Sequence, residues 1–232
     1  MHSFMLFHGS GQIVKKPDIG FGNIHNDYGK GFYCTKDEEM AKEWACKDGG
    51  NGFVNRYRMY GDGLKTLDLS DGAHTVLNWI AVLLKYRTFS LNSPIAVDAR
   101  EFIILHYAPE IRDYDLVTGY RADDSYFRYA EAFVENTLSL RSLNKALRLG
   151  KLGLQTALVS EQAFRQIQFV GAVPVDKTLY YPRFVARDAN ARQTYCDEIA
   201  KSRGYRDDIF VLDILREGMK NDDPRIQRIV SE

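Results

Sequence analysis

The sequence predicts a fold of the α+β class, because strand-like and helix-like stretches occupy separate parts of the chain. Residues 4–8 alternate loosely as in a short strand, and "LGLQTALVS" at 152–160 is apolar enough for a buried strand. Apolar residues recur at helical spacing from 71 to 108 and again from 123 to 150. With 232 residues and 45% apolar composition, the chain can bury a substantial core.

The N-terminal region is predicted to combine strands with one helix. Acidic residues followed by Met40 and Trp44 at helical spacing predict a helix at 36–47. The segments "GFVNRYRMY" at 52–60 and "LKTLDLS" at 64–70 are predicted strands.

Strands and helices are also predicted in the second half. "YDLVTGY" at 114–120 predicts a strand, and "EQAFRQIQFVGAVPV" at 161–175 predicts a short helix followed by a strand. From Asn190 onward, the pattern predicts two amphipathic helices separated near Gly204, with a polar tail after Gly218.

These elements suggest one domain with two helical additions. We expect an α+β domain at 1–185 that contains a helical insert at about 71–108. Residues 186–232 are expected to form a C-terminal helical extension packed on that domain.

The charge balance argues against a general DNA-binding protein. Lys plus Arg and Asp plus Glu number 31 each, so no overall electrostatic field favours a nucleic acid or a membrane, although a local patch can survive this balance.

Cysteine usage and hydropathy predict a cytoplasmic protein. Cys34, Cys46 and Cys196 are odd in number and lack C-x-x-C spacing, which suits a reducing compartment. The N-terminus lacks signal-peptide features, and the apolar run "WIAVLL" at 79–84 is too short to span a bilayer. We therefore expect no membrane partner, and we predict no metal site.

Two nearby segments combine glycine with aromatic side chains. "LFHGS" at 6–10 is, by itself, typical of a polar turn at a strand end, and "GKGFY" at 29–33 is typical of a tight turn. Glycine also allows the main chain to approach a flat ligand closely. The segments therefore suit either a turn or a ligand site.

Taken in order with Trp44 and the 152–170 region, these segments resemble the H-Y-E framework of the poly(ADP-ribose) polymerase branch of ADP-ribosyltransferases, including uncharacterised bacterial members. In that family a histidine lies in an H-G motif, a tyrosine follows G-x-G, and a second aromatic lies eleven residues later, as Trp44 does after Tyr33. The resemblance covers roughly residues 4–60 and 150–180. It implies a split mixed/antiparallel β-sheet with an NAD cleft, elaborated by additional helices.

The resemblance implies two sets of site residues and NAD as the substrate. The catalytic set is His8, Tyr33 and Gln155. The NAD-binding set is Gly9, Ser10, Gly31 and Trp44.

Each residue then has an implied role. Tyr33 and Trp44 would sandwich the nicotinamide, each contact contributing about 0.5–1.5 kcal/mol beyond burial, and the Gly9 backbone would pair with the carboxamide. His8 and Ser10 would bind the ribose hydroxyls on the adenosine side. The alternative for both aromatic residues is a place in the core.

The sequence departs from the family at two positions. Gln155 replaces the glutamate, and Ala41 replaces a serine that helps to hold the nicotinamide amide. An amide can bond a ribose hydroxyl but cannot accept a proton at neutral pH, so we expect transfer of a single ADP-ribose to a macromolecule with release of nicotinamide. The alternatives are an NAD glycohydrolase and an NAD-sensing or partner-binding module, with Gln155 a buried structural amide.

Two further features concern the base and the acceptor. Asp123 and Asp124, beside Tyr126, would either cap a helix or supply the missing carboxylate. A helical face before Gln155 is either a solvated surface or a docking site for an acidic protein or nucleic-acid acceptor. Its cations are Arg141, Lys145, Arg148 and Lys151. A small regulatory or antitoxin-like partner is also expected.

Overall fold

The computed structural model describes residues 2–122, 124–149, 153–202 and 207–231 and confirms the α+β class. The strands in these ranges are β1 (Ser3–Ser10), β2 (Phe32–Cys34), β3 (Gly52–Tyr60), β4 (Thr66–Asp68), β5 (Leu116–Tyr120), β6 (Leu154–Leu158) and β7 (Ile167–Val175). The α-helices are α1 (Glu38–Ala45), α2 (Val76–Tyr86), α3 (Pro94–Tyr107), α4 (Asp124–Val134), α5 (Leu140–Leu149), α6 (Glu161–Arg165), α7 (Lys177–Ser202), α8 (Val211–Glu217) and α9 (Pro224–Ser231).

The chain divides into two compact units, each built from three segments. The first unit comprises Met1–Asp68, Glu110–Gly119 and Gly153–Arg187. The second unit comprises Leu69–Pro109, Tyr120–Leu152 and Asp188–Glu232. Residues 120–152 thus belong to the same unit as the predicted helical insert. The boundaries of the two units differ from those of the expected domains, which stay a prediction.

The first unit contains two sheets, apart from Tyr120 at the end of β5. One sheet is antiparallel in the order β1-β3-β7, and the other has the order β2-β6-β5-β4. The second sheet is mixed, because β2 and β6 are antiparallel whereas β4 and β5 are parallel. Phe7 of β1 and Thr35, next to β2, exchange backbone hydrogen bonds of 2.8 and 2.9 Å, which joins the two sheets.

Helix α1 packs on one face of this region. The Asp37 carboxylate accepts hydrogen bonds from the backbone N–H groups of Glu39 and Met40, which caps the helix, and acidic residues occupy its first turn. Ala41 and Ala45 are buried against Val54 of β3. A second apolar cluster contains Leu6, Cys34, Met59, Leu116, Leu158 and Ala163.

The second unit is organised around α2. This helix is apolar on almost all sides, and the residues of "WIAVLL" at 79–84 are fully buried, as expected for a core helix. The Trp79 indole N–H donates to the Tyr120 carbonyl at 3.0 Å, and the Asn78 amide donates to the Tyr107 carbonyl at 2.8 Å. No helix in the described part of the chain is long and apolar enough to cross a membrane.

The C-terminal prediction was wrong in two respects. Helix α7 begins at Lys177, well before Asn190, and contains Pro182, a residue that normally argues against a helix interior. After Gly218, which ends α8 with a φ of 61°, the chain forms α9 rather than a polar tail. Ile226 and Ile229 lie one turn apart on α9 and are buried, which gives this polar segment an apolar side. Gly204 itself lies outside the described residues.

Candidate functional site

The predicted site residues come from β1, β2, α1 and β6 of the first unit. Tyr33 pairs with Ala157 across β2 and β6, so Gln155, two residues along β6, lies on the same face of the sheet as Tyr33. β1 meets the β2 region at the isolated antiparallel Phe7–Thr35 bridge. The fold thus brings Tyr33 and Gln155 to one face of the β2–β6 pair, whereas Gly9 of β1 lies against α1.

His8 is held at the junction of the two sheets. Its Nδ1 lies 2.7 Å from the Tyr33 carbonyl oxygen, and its ring centroid lies 4.5 Å from that of Phe32. Because a carbonyl only accepts, Nδ1 carries the proton in this bond. Burial and the nearby Lys47 ammonium lower the pKa of His8, although the bond to Tyr33 opposes them. The neutral ring therefore presents Nε2 as an acceptor, which suits a ligand hydroxyl.

Tyr33 is fixed by the glycine-containing loop that precedes it. Its Oη donates to the Gly29 carbonyl at 2.7 Å and accepts from the Tyr28 N–H at 2.9 Å. Gly29 has a φ of 78°, which few other residues adopt without strain. The Tyr28 and Tyr33 rings lie 6.2 Å apart and nearly parallel, so the loop holds a flat aromatic surface in one orientation.

Both predicted glycines are required by close backbone packing. A Cβ at Gly9 would overlap the Ala41 carbonyl oxygen and lie 2.6 Å from the Ala45 nitrogen, so only glycine lets β1 approach α1 this closely. A Cβ at Gly31 would lie 2.6 Å from the Leu158 carbonyl oxygen. Trp44, on α1, is 8% exposed and therefore belongs to the interior as well as to the predicted site.

Ser10 is held by a residue that the sequence did not single out. Asn55 of β3 is fully buried, and its Nδ2 lies 3.2 Å from Ser10 Oγ and 3.3 Å from the His8 carbonyl. Its Oδ1 accepts from the Val14 N–H at 2.8 Å. Asn55 therefore positions the segment that follows the H-G-S motif. No distinct signal marks Asn55 in the sequence, because the same strand also contains the polar residues Arg56 and Arg58.

Gln155 is buried and hydrogen-bonded to a carboxylate. Its side chain is 4% exposed, and its Nε2 donates to Asp27 Oδ2 at 2.7 Å. Asp27 itself is 5% exposed. A buried structural amide would make such a bond. The bond also holds the amide on the face of the sheet that carries Tyr33. The catalytic role of Gln155 stays a prediction. Asp27 gave no sequence signal, because loop residues follow no periodic pattern.

The residues proposed as a replacement base are only partly described. Tyr126 is fully buried in the second unit, and its Oη donates to the Leu147 carbonyl at 2.7 Å, which is a structural contact. Asp123 lies outside the described residues, and Asp124 begins α4 without a described side chain. Whether these aspartates act as a cap or as a base stays a prediction.

The predicted basic face is not a uniform solvated surface. Arg141 is buried and pairs with Asp208, with Nε and Oδ1 3.2 Å apart, so its charge is neutralised inside the second unit. Lys145 is partly buried, whereas Lys151 and the side chain of Arg148 lie outside the described residues. Among the described residues, no group of three or more His, Cys, Asp or Glu is arranged to hold a metal ion.

Comparison with known proteins gives one family match. A family model described as "Protein of unknown function (DUF3990)" matches residues 4–169. This span contains every residue of the predicted NAD site and ends within β7. No curated protein and no solved structure shows a significant match.

Proposed function

We propose that this chain, which belongs to the DUF3990 family, transfers a single ADP-ribose from NAD to a macromolecular acceptor and releases nicotinamide. The observation that carries the proposal is the 2.7 Å contact between His8 Nδ1 and the Tyr33 carbonyl. Through this contact, the first two residues of the H-Y-E framework lie side by side where the two sheets meet. The strand orders β1-β3-β7 and β2-β6-β5-β4 support an ADP-ribosyltransferase-like split sheet.

The proposed NAD cleft lies along the edge of β1, next to β2 and the Trp44 end of α1. The nicotinamide would stack on the fixed ring of Tyr33, with Trp44 on its other side and its carboxamide on the Gly9 backbone. His8 Nε2 would accept a hydrogen bond from a hydroxyl of the adenosine ribose. Ser10 and Gly31 would line the same cleft.

The reaction needs a site that stabilises a cationic sugar. The bond between the ribose C1′ and the nicotinamide nitrogen breaks, its electron pair leaves with neutral nicotinamide, and the ribose becomes oxocarbenium-like. A nucleophilic atom of the acceptor then bonds to C1′ and releases its proton to water. The Gln155 amide would hold the nicotinamide ribose through a hydroxyl during this step, without removing a proton itself.

Labelled NAD tests the proposal directly. The folded protein would be incubated with NAD that carries a radioactive phosphate, together with a cell lysate, and nicotinamide release would be measured in parallel. We expect release of nicotinamide and label on protein or nucleic acid, both abolished in His8→Ala. The exposed histidine variant His106→Ala is the matched control and should behave as wild type. Absence of both release and label, in a folded protein, would overturn the proposal.

A second candidate function is an NAD-sensing module. It is favoured by Ala41, which lacks the hydroxyl expected beside the nicotinamide, and by Gln155, which lacks a carboxylate. Calorimetry distinguishes the two functions, because a sensor would bind NAD saturably without releasing nicotinamide. Release of nicotinamide without label on any macromolecule would instead identify an NAD glycohydrolase.

A further inference from the structure

The loop before Tyr33 contacts two candidate catalytic side chains at once. Its Gly29 carbonyl and Tyr28 N–H bond the Tyr33 hydroxyl, and two residues before Gly29 the Asp27 carboxylate bonds Gln155. Asp27 and Gln155 are separated by 128 positions in the sequence, yet their side chains meet at 2.7 Å in the interior. This loop therefore couples β2 to the start of β6.

A buried carboxylate requires a structural explanation. Removing an ionised group from water is costly unless hydrogen bonds compensate, and the Gln155 N–H group supplies one such bond to Asp27. The contact is made by the Gln155 amide nitrogen, which donates to an Asp27 carboxylate oxygen at 2.7 Å. The Gln155 amide oxygen is consequently directed away from Asp27.

Asp27 and Gln155 would contribute differently to the reaction. An oxocarbenium-like ribose is stabilised by a nearby negative charge and by a directional contact to its hydroxyl groups. Gln155 can provide the directional contact through its amide oxygen but carries no charge. Asp27 places a carboxyl group one hydrogen bond further from the cleft.

We propose that Asp27 is a positioning residue that holds the Gln155 amide nitrogen and thereby orients the amide oxygen toward the nicotinamide ribose. The inference rests on the proposed NAD chemistry. Asp27 exchanges no proton with the substrate.

Three variants test this pair. Asp27→Asn keeps the shape and an oxygen that can accept from Gln155, but it removes the charge and permits the amide to rotate. The double variant Asp27→Asn/Gln155→Glu restores one carboxylate and one amide with their places exchanged. Asp18→Asn is the matched control, because Asp18 is an exposed aspartate of the same connection and accepts a hydrogen bond from the Gly20 N–H.

The measurement is nicotinamide release as kcat and KM, beside a thermal melt of each variant. We expect Asp27→Asn to lower kcat by about 10- to 100-fold with little change in KM, as for loss of a transition-state interaction. The double variant should recover to within a few-fold of wild type, and Asp18→Asn should match wild type. A purely structural pair would instead change the melt and leave kcat of the folded protein unaffected.

Two outcomes would overturn the positioning role of Asp27 and leave the proposed ADP-ribose transfer standing. They are an Asp27→Asn protein with wild-type kcat, and a folded double variant that stays as slow as Asp27→Asn. If Asp27→Asn does not fold, the folded double variant decides by comparison with Gln155→Glu alone, which places two carboxylates in contact; the inference requires the double variant to be the faster of the two. A wild-type protein that releases no nicotinamide overturns the inference and the proposed transfer activity together.

Discussion

His8 illustrates how one hydrogen bond can select a chemical role. The Tyr33 carbonyl accepts a hydrogen bond from Nδ1–H, so the neutral ring keeps an acceptor at Nε2. Protonation would replace that acceptor with a donor and place a charge in a partly buried position. The role of this residue should therefore depend on pH.

The pH dependence has a defined sign. The pKa of His8 in the folded protein is below its ordinary value of 6.5, chiefly because of burial. Between the two values the unfolded chain binds more protons, so the His8 contribution to the free energy of unfolding is lost as pH falls through 6.5 and is fully lost below the folded pKa. Wild type should lose more stability than His8→Gln between pH 7.5 and 5.5, measured by urea unfolding. Parallel losses in the two proteins would contradict this assignment.

Gly9 should be intolerant of even one added methyl group. Gly9→Ala would drive its Cβ into the Ala41 carbonyl, so α1 must shift, at a cost of about 1–3 kcal/mol in the free energy of unfolding. Gly11→Ala is the control, because no atom lies within 4 Å of its added Cβ, and it should change stability by less than about 0.5 kcal/mol. Chemical denaturation of both proteins makes the comparison, and equal stabilities would show that α1 yields easily.

At the scale of elements, a partly buried ion pair links α1 to the part of α7 that lies in the first unit. The Arg187 guanidinium bonds both carboxylate oxygens of Glu43 at 2.6 and 2.8 Å. Glu43 is 5% exposed and directly precedes Trp44. The pair therefore fixes the part of α1 that carries the second predicted aromatic of the NAD site.

Breaking this pair from the arginine side should be costly. Arg187→Ala would leave the Glu43 carboxylate without its bidentate partner, and we expect a loss of about 1–3 kcal/mol in the free energy of unfolding. Arg165→Ala removes an exposed helical pair with Glu161 and should cost about 0.5 kcal/mol or less. Urea unfolding measures both values. A cost for Arg187→Ala no larger than the control would mean that water replaces the guanidinium.

Local periodicity predicted the strands and helices as far as about residue 175, but not the start of α7 or the existence of α9. The start of α7 was missed because Pro182 lies inside the helix and proline rarely continues a helix. Helix α9 was missed because polar residues separate Ile226 from Ile229, so the segment shows little apolar periodicity. The H-G and G-x-G motifs identified His8 and Tyr33. The contact between His8 and the Tyr33 carbonyl depends on how the backbone runs next to Gly9 and Gly31, which the motifs alone do not specify.

At the scale of the whole molecule, the sequence pattern cannot say which segments share a core. Residues 120–152 follow a strand of the first unit but belong to the second, since grouping depends on contacts between distant segments. Asp27 and Asn55 escaped prediction for the same reason. Each acquires its role only from partners far away in the sequence, namely Gln155 for Asp27 and the 8–14 segment for Asn55.

The different exposure of Cys34 and Cys196 allows the transient opening of the sheet to be measured from the reactivity of their thiols. Cys34 lies in β2 beside Tyr33 with no exposed surface, and burial raises the pKa of its thiol well above the ordinary 9.0, whereas Cys196 is exposed. An alkylating reagent should therefore modify Cys196 at once and Cys34 only during transient opening of the sheet, at least about 100-fold more slowly. Peptide mass spectrometry over time reads both rates, and NAD should slow the Cys34 rate alone. Equal rates at both thiols would mean that the strand carrying Tyr33 is not held closed.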